Sequence, residues 1–130
     1  MSRLIVQPHV VDEALAGLWA EAWGPPGRVR GLSEIAEQLE GVEAYVERLA
    51  AYAVLEDVGT VALGIVEERI IKFLYVTPSQ RRRGLARELV GHLVLVGGAR
   101  DAWALPGDRA SKSLYESLGW RARLLTMRGE

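Results

Sequence analysis

An α/β domain in which helices cover a mixed sheet is the fold class this sequence predicts, on three observations. Apolar residues switch repeatedly between strand and helical periodicity along the chain. Glycine and proline punctuate those switches. The resulting order, β-α-α-β-β-β-α-β-α-β, interleaves the two kinds of element instead of segregating them.

Taken in order, Leu4 to Val6 is a short apolar strand closed by Pro8. From Val10 to Trp23 the residues Val11, Leu15, Leu18, Trp19 and Ala22 recur at helical spacing. Gly24-Pro25-Pro26-Gly27 breaks that period. Ser33 is placed to N-cap a second helix that carries Ile35, Leu39, Val42, Tyr45, Val46 and Leu49, with Gly41 positioned to split it. Ala51 to Glu56 and Thr60 to Glu67 read as a hairpin around Asp57-Val58-Gly59. After Glu67-Glu68-Arg69, the β-branched and aromatic run Ile70 to Val76 marks a central strand ended by Pro78. Leu85, Ala86, Leu89, Val90, Leu93 and Val94 then make one helical stripe, starting from Arg83 and stopping at Gly97-Gly98. Ala102 to Leu105 is a short strand terminated by Pro106, and Asp108 N-caps a helix from Ala110 to Leu118. Gly119 stops that helix before a final strand from Trp120 to Met127.

Composition narrows the function. The 130 residues are expected to form a single domain, 49% hydrophobic and able to fold alone. A net charge of -1 argues against a general nucleic-acid binder, because basicity is confined to residues 81 to 87. With no cysteine there is no disulfide framework, thiolate metal site or cysteine nucleophile, and no metal site is expected. No segment reaches eighteen uninterrupted apolar residues, so the expectation is a soluble, cytoplasmic protein without membrane partners.

The most informative stretch is Val76-Thr77-Pro78-Ser79-Gln80-Arg81-Arg82-Arg83-Gly84-Leu85-Ala86-Arg87. It joins a strand to an amphipathic helix through an arginine-rich, glycine-bearing turn. The first amides of such a helix lack partners and carry the positive end of the helix dipole, which suits a phosphate. Arginines at that end oppose the dipole, an arrangement that calls for an anionic ligand.

The pattern Arg81-x-x-Gly84-x-Ala86, following Leu74-Tyr75-Val76-x-Pro78, resembles the acyl-CoA signature of the GNAT superfamily of N-acetyltransferases. A second match, Asp108-Arg109-Ala110-Ser111-Lys112-Ser113-Leu114-Tyr115-Glu116-Ser117-Leu118-Gly119-Trp120, is similar to the later segment of the same family, in the same order and spacing. The resemblance implies a mostly antiparallel mixed sheet with helices on both faces and a splayed parallel strand pair. It implies acetyl-CoA as cosubstrate and an amine as acceptor. The CoA pyrophosphate would rest on residues 81 to 86, including Leu85, with Arg82, Arg83 or Arg87 near the remaining phosphate. Pantetheine would lie along Leu74, Tyr75 and Val76 on one side and Trp103 to Leu105 on the other. The amide near Val76 would polarise the thioester carbonyl.

By the same resemblance Tyr115 would hydrogen-bond or protonate the departing thiolate. Asp108 and Ser111 join the cofactor-binding set, although Asp108 replaces the asparagine usual in relatives and an ionised carboxylate cannot donate. Glu67 and Glu68 are the nominated general bases, being the nearest acids before the central strand. Lys72 reads as a snorkelling edge residue or as a charge that repels a cationic acceptor. The tail after Trp120 leaves room for little more than one strand where relatives have a hairpin, so a partner subunit in a homodimer could complete the acceptor side. Two other readings are open: a CoA-binding module without catalysis, and a nucleic-acid or protein-binding domain that uses Arg81 to Arg87 as a basic patch.

Overall fold

The computed structural model describes residues 3–24, 29, 31–81, 83–105, 108–123, 127 and 129. Its strands are β1 (Leu4–Val6), β2 (Ala51–Glu56), β3 (Gly59–Glu67), β4 (Ile70–Val76) and β5 (Asp101–Ala102). Its α-helices are α1 (Glu13–Trp23), α2 (Val42–Glu47), α3 (Leu85–Leu95) and α4 (Arg109–Ser117). The strands lie side by side in sequence order, antiparallel throughout except for the parallel pair β4 and β5. None of the described helices is long and apolar enough to cross a membrane.

Local chemistry sets most boundaries. Asp12 accepts a hydrogen bond from the Leu15 amide at 2.8 Å, so α1 begins at Glu13 and not at Val10 as the apolar spacing suggested. The single helix expected from Ser33 is instead two short pieces, a 3-10 segment over Leu32–Gln38 and α2. Gly31 opens the first at φ 81, Ile35 leaves helical geometry within it, and extended Gly41 separates the two. Ser33 therefore lies inside the 3-10 segment and caps nothing. The β2–β3 hairpin forms as expected, with Gly59 at φ 114. The β3–β4 turn places Glu68 and Arg69 at positive φ, which no glycine in the sequence announced.

At the C-terminal end two expectations are corrected. β5 covers only Asp101–Ala102, because Trp103 makes one further bond to the Ile71 carbonyl, at 2.9 Å, and the strands then part. From Trp120 to Arg123 there is no strand, since the Trp120 amide turns back to the Tyr115 carbonyl at 3.0 Å. Residues 124–126 of the expected final strand lie outside the described residues.

The sheet carries a separate core on each face. Against α1 and α2 pack Leu63, Ile65, Phe73 and Tyr75, together with Leu18, Leu32 and Tyr45. Against α3 and α4 pack Val54, Ala62, Ile71 and Val76, together with Leu85, Leu89, Leu93 and Tyr115. Gly64 is the point of closest approach between β3 and α3: a Cβ there would stand 2.8 Å from one Leu93 methyl and 3.4 Å from a Leu89 methyl. Gly64→Val should therefore overpack this face and lower stability by about 1–3 kcal/mol. Urea denaturation would show it as an earlier midpoint at unchanged slope, and an unshifted midpoint would refute it.

Candidate functional site

The turn from β4 into α3 is built around Gly84, which adopts φ 79 as the residue preceding the helix. A Cβ at this position would meet nothing within 4 Å, so the demand for glycine is conformational. No side chain caps α3. The first intrahelical bond recorded there runs from the Glu88 amide to the Gly84 carbonyl, leaving the amides of Leu85, Ala86 and Arg87 without described partners. Leu85 is buried and anchors the helix, Ala86 is half-buried, and Gly84 and Arg87 are exposed.

Three of the arginines expected near phosphate, Arg81, Arg83 and Arg87, already have protein partners. Arg81 folds back so that its Nε donates to the Val76 carbonyl at 2.9 Å, with its guanidinium 5.6 Å from the centre of the Tyr75 ring. Arg83 donates twice to Glu56, at 2.9 and 3.2 Å, and also to Gln80. Arg87 donates to the Ser117 hydroxyl at 2.9 Å. Glu56 is shared with Arg3 and has a side chain only 3% exposed; Arg83 first, then Arg3, holds its carboxyl below the ordinary range. Arg82 lies outside the described residues.

Beside the turn, β4 has an open edge. The β3–β4 register slips by one at Lys72: Ile65 faces Phe73, but Val66 faces Ile71. This β-bulge puts Ile71 in one core and Phe73 in the other, and it bends the strand where β5 leaves it. The Thr77 amide donates to the Val61 carbonyl at 3.0 Å, so by strand alternation the amides of Leu74 and Val76 point the other way. That way lies the gap between β4 and β5, which forms a narrow cleft. Phe73, Leu74, Trp103 and Leu105 line it together with Asp108, Ser111 and Tyr115 of the α4 region.

Asp108, Ser111 and Tyr115 share one face of α4, at successive helical turns. Asp108 is the N-cap: one carboxylate oxygen accepts from the Ser111 amide at 3.2 Å and the other from the Ser111 hydroxyl at 2.7 Å. Tyr115 is buried and stacks on Trp120 with ring centres 5.3 Å apart. Its hydroxyl hydrogen-bonds to no described residue. Burial, with the charge of Asp108 second, pushes that hydroxyl's pKa up, so Tyr115 presents a proton to the cleft.

The two nominated bases both lie beside Lys72 and both carry ion pairs. Glu67 accepts from Arg48 at 2.6 and 3.0 Å, and Glu68, with a side chain 78% exposed, pairs with Lys72 at 2.9 Å. Lys72, by contrast, is only 11% exposed and lines the cleft with its ammonium 5.5 Å from the centre of the Trp103 ring. Its stem is covered while its ammonium reaches the exposed carboxylate of Glu68 at 2.9 Å, with Glu67 at 3.8 Å.

Sequence reasoning missed Glu21. This α1 residue accepts from the Tyr75 hydroxyl at 2.9 Å and the Thr77 hydroxyl at 2.8 Å. The available signal was its spacing, three residues after buried Leu18 and one before buried Ala22, at the margin of the apolar stripe.

The model of the acetyltransferase (GNAT) domain matches residues 48–122, more than half of the chain. Solved structures are similar across nearly all of it. A GNAT-family acetyltransferase from Bacillus cereus superposes with TM-score 0.69 at 11% identity, over 96% of this chain and 87% of that one. The aminoglycoside acetyltransferase AAC(6')-Iy, bound to a CoA bisubstrate analogue, gives 0.63 at 17% identity over 100% and 99%. A diaminobutyrate acetyltransferase from Paenibacillus lautus, holding L-2,4-diaminobutyric acid and coenzyme A, gives 0.66 at 13% identity over 90% and 74%. No curated protein sequence matches the chain.

Alkaline titration tests the two buried tyrosines. Burial raises the Tyr75 hydroxyl as well, with its bond to Glu21 adding to the effect. Above the ordinary tyrosine pKa of about 10, the folded chain therefore holds protons that the unfolded chain releases. This contribution is fully present below about pH 10 and is lost as pH rises beyond it. Urea midpoints should fall above that pH, less steeply in Tyr115→Phe and Tyr75→Phe; identical slopes in all three proteins would refute the assignment.

Proposed function

This chain belongs to the GNAT family of acetyltransferases, and we propose that it transfers an acetyl group from acetyl-CoA to a primary amine by direct attack within a ternary complex. Acetyl transfer comes with the family. The choices of cosubstrate, acceptor and mechanism rest on how the site's chemistry fits them.

The uncapped amides of residues 85 to 87 and bare Gly84 suit a pyrophosphate. The open edge of β4 suits an amide-bearing pantetheine arm, which would pair with it as an added strand. Two of the similar structures hold CoA or an analogue of it. In this reading the Val76 amide donates to the thioester carbonyl and then to the oxyanion that develops there. The amine forms the new N–C bond, the C–S bond breaks, and the nitrogen gives up one proton to solvent. Tyr115 protonates the thiolate and is reprotonated from solvent, so the products are an amide and free CoA thiol. No covalent enzyme intermediate is needed.

One observation carries the reading: the Tyr115 hydroxyl, with no hydrogen-bond partner among the described residues, shares a cleft with the edge of β4 beyond its two pairs with β5. Glu67 and Glu68 would act mainly by setting the charge balance around Lys72.

Calorimetric titration with acetyl-CoA, followed by thiol release over a panel of amines, tests the proposal. Tyr115→Phe should lower kcat by about 10²-fold with little change in acetyl-CoA affinity. Gly84→Val should weaken acetyl-CoA binding, since valine resists the left-handed backbone. Full turnover in the first variant, or unchanged affinity in a folded second one, would sink the corresponding assignment. Binding without thiol release for any amine would leave a CoA-binding module instead.

A further inference from the structure

The turn that opens α3 is fastened at alternate residues. Arg81 is tied to the Val76 carbonyl, Arg83 to Glu56, and Leu85 is buried in the core beneath the helix. Between the last two stands Gly84, exposed, at φ 79, with nothing within 4 Å of where a Cβ would be. No packing at Gly84 itself secures that left-handed backbone, so the anchors on either side must do so.

Glu56 reaches this turn from the end of β2, 27 positions away from Arg83. Arg83 meets it end-on, with Nη1 donating to one carboxylate oxygen at 2.9 Å and Nη2 to the other at 3.2 Å. Arg3, just before β1, donates to it through Nε at 2.9 Å and through Nη1 to Glu88, in the opening turn of α3. One guanidinium thus spans from Glu56 to the helix, which sets the carboxylate beside the unpartnered amides of residues 85 to 87. The formal charges of Arg3, Arg83, Glu56 and Glu88 cancel, so the cluster adds no net repulsion to an anion there. A covered ion pair contributes little net stability, and its best-attested use is to select one arrangement of the chain.

The geometry points to Glu56 as a positioning residue for the coenzyme, one that holds Arg83, and through it the Gly84 turn, in the shape that binds the pyrophosphate. This rests on the acetyl-CoA reading above. The end-on pairing leaves the Arg83 Nε–H without a described partner, so that edge can donate to a phosphate oxygen while the far end of the guanidinium stays on Glu56. Glu56 is then a holder of Arg83 and no competitor for it. Its contribution appears as preorganisation: without it, only a fraction of molecules carry the binding-competent turn, and apparent affinity falls by that fraction.

Calorimetric titration with acetyl-CoA, in the wild type, Glu56→Gln, Glu56→Asp, Arg83→Gln and the Glu56→Gln/Arg83→Gln double variant, tests this, with urea midpoints measured alongside. Glu56→Gln should raise Kd by about tenfold, and Glu56→Asp should raise it less. Turnover at saturating acetyl-CoA should fall far less than affinity does. Because Glu56 acts through Arg83, the double variant should bind no more weakly than Arg83→Gln alone. A merely structural role would move the urea midpoint and leave the Kd of the folded protein where it was. Unchanged or tighter binding in Glu56→Gln, or losses that add in the double variant, overturn the inference while leaving acetyl transfer standing. If Glu56→Gln does not fold, Glu56→Asp decides by the same criterion of weakened against unchanged affinity. A wild type that does not bind acetyl-CoA removes the coenzyme site and this inference with it.

Discussion

β4 is paired with β3 along its whole length but with β5 over only two residue pairs, and the chemistry available to the molecule follows from that inequality. An unpaired strand edge is ordinarily a liability that proteins cover or charge. Here the bulge at Lys72 bends β4 away from β5 after Ile71, and the side chains of α4 close over the gap without filling it. Backbone amides left in such a place cost about 1–3 kcal/mol each if buried unpaired. An extended ligand that brings its own carbonyls meets that need. The same bulge turns Lys72 into the cleft and sends Phe73 and Ile71 into opposite cores. One extra residue thus sets the strand divergence, the local charge and the allocation of side chains to the two faces.

Electrostatics at the neighbouring turn are arranged differently from the simplest expectation. Cations crowded at a helix N-terminus call for an anion, and a buried protein carboxylate, Glu56, already answers the call from Arg83 while Arg3 holds it from the other side. Arg81 is spent on the Val76 carbonyl and the Tyr75 ring. Among the described residues, Arg81 and Arg83 are thus engaged by the protein itself, and the groups of the turn without described partners are the opening amides of α3. These amides form a row of N–H groups at the positive end of the helix dipole.

How much of this was legible in the sequence depended on the distance over which each feature is determined. The β2–β3 hairpin, β4, α3 and the Asp108 cap are set by residues within a few positions of one another, and their boundaries in the structure stay close to those read from periodicity. Where a competing local bond intervened, the reading slipped: Asp12 took the start of α1, and Gly31 with Gly41 cut the second helix. β5 was overestimated because apolar content from Ala102 to Leu105 suits the cleft wall as well as a ladder. The motif residues Gly84, Asp108, Ser111 and Tyr115 do gather around one strand edge and the turn beside it. The ion pairs of Glu67 and Glu68 with Arg48 and Lys72 could not be read from a linear pattern.

The carboxylate on the α1 side shows why that half of the site resists sequence reading. Glu21 meets Tyr75 across 54 positions and Thr77 across 56, so nothing near it in the chain marks it out. The motif residues, by contrast, are written mainly in two runs, residues 74–87 and 108–120. Most residues on α1 touch β4 on the face opposite α3 and α4, whereas Glu21 is tied to the α3 turn through Thr77 and through Tyr75, on whose ring Arg81 rests.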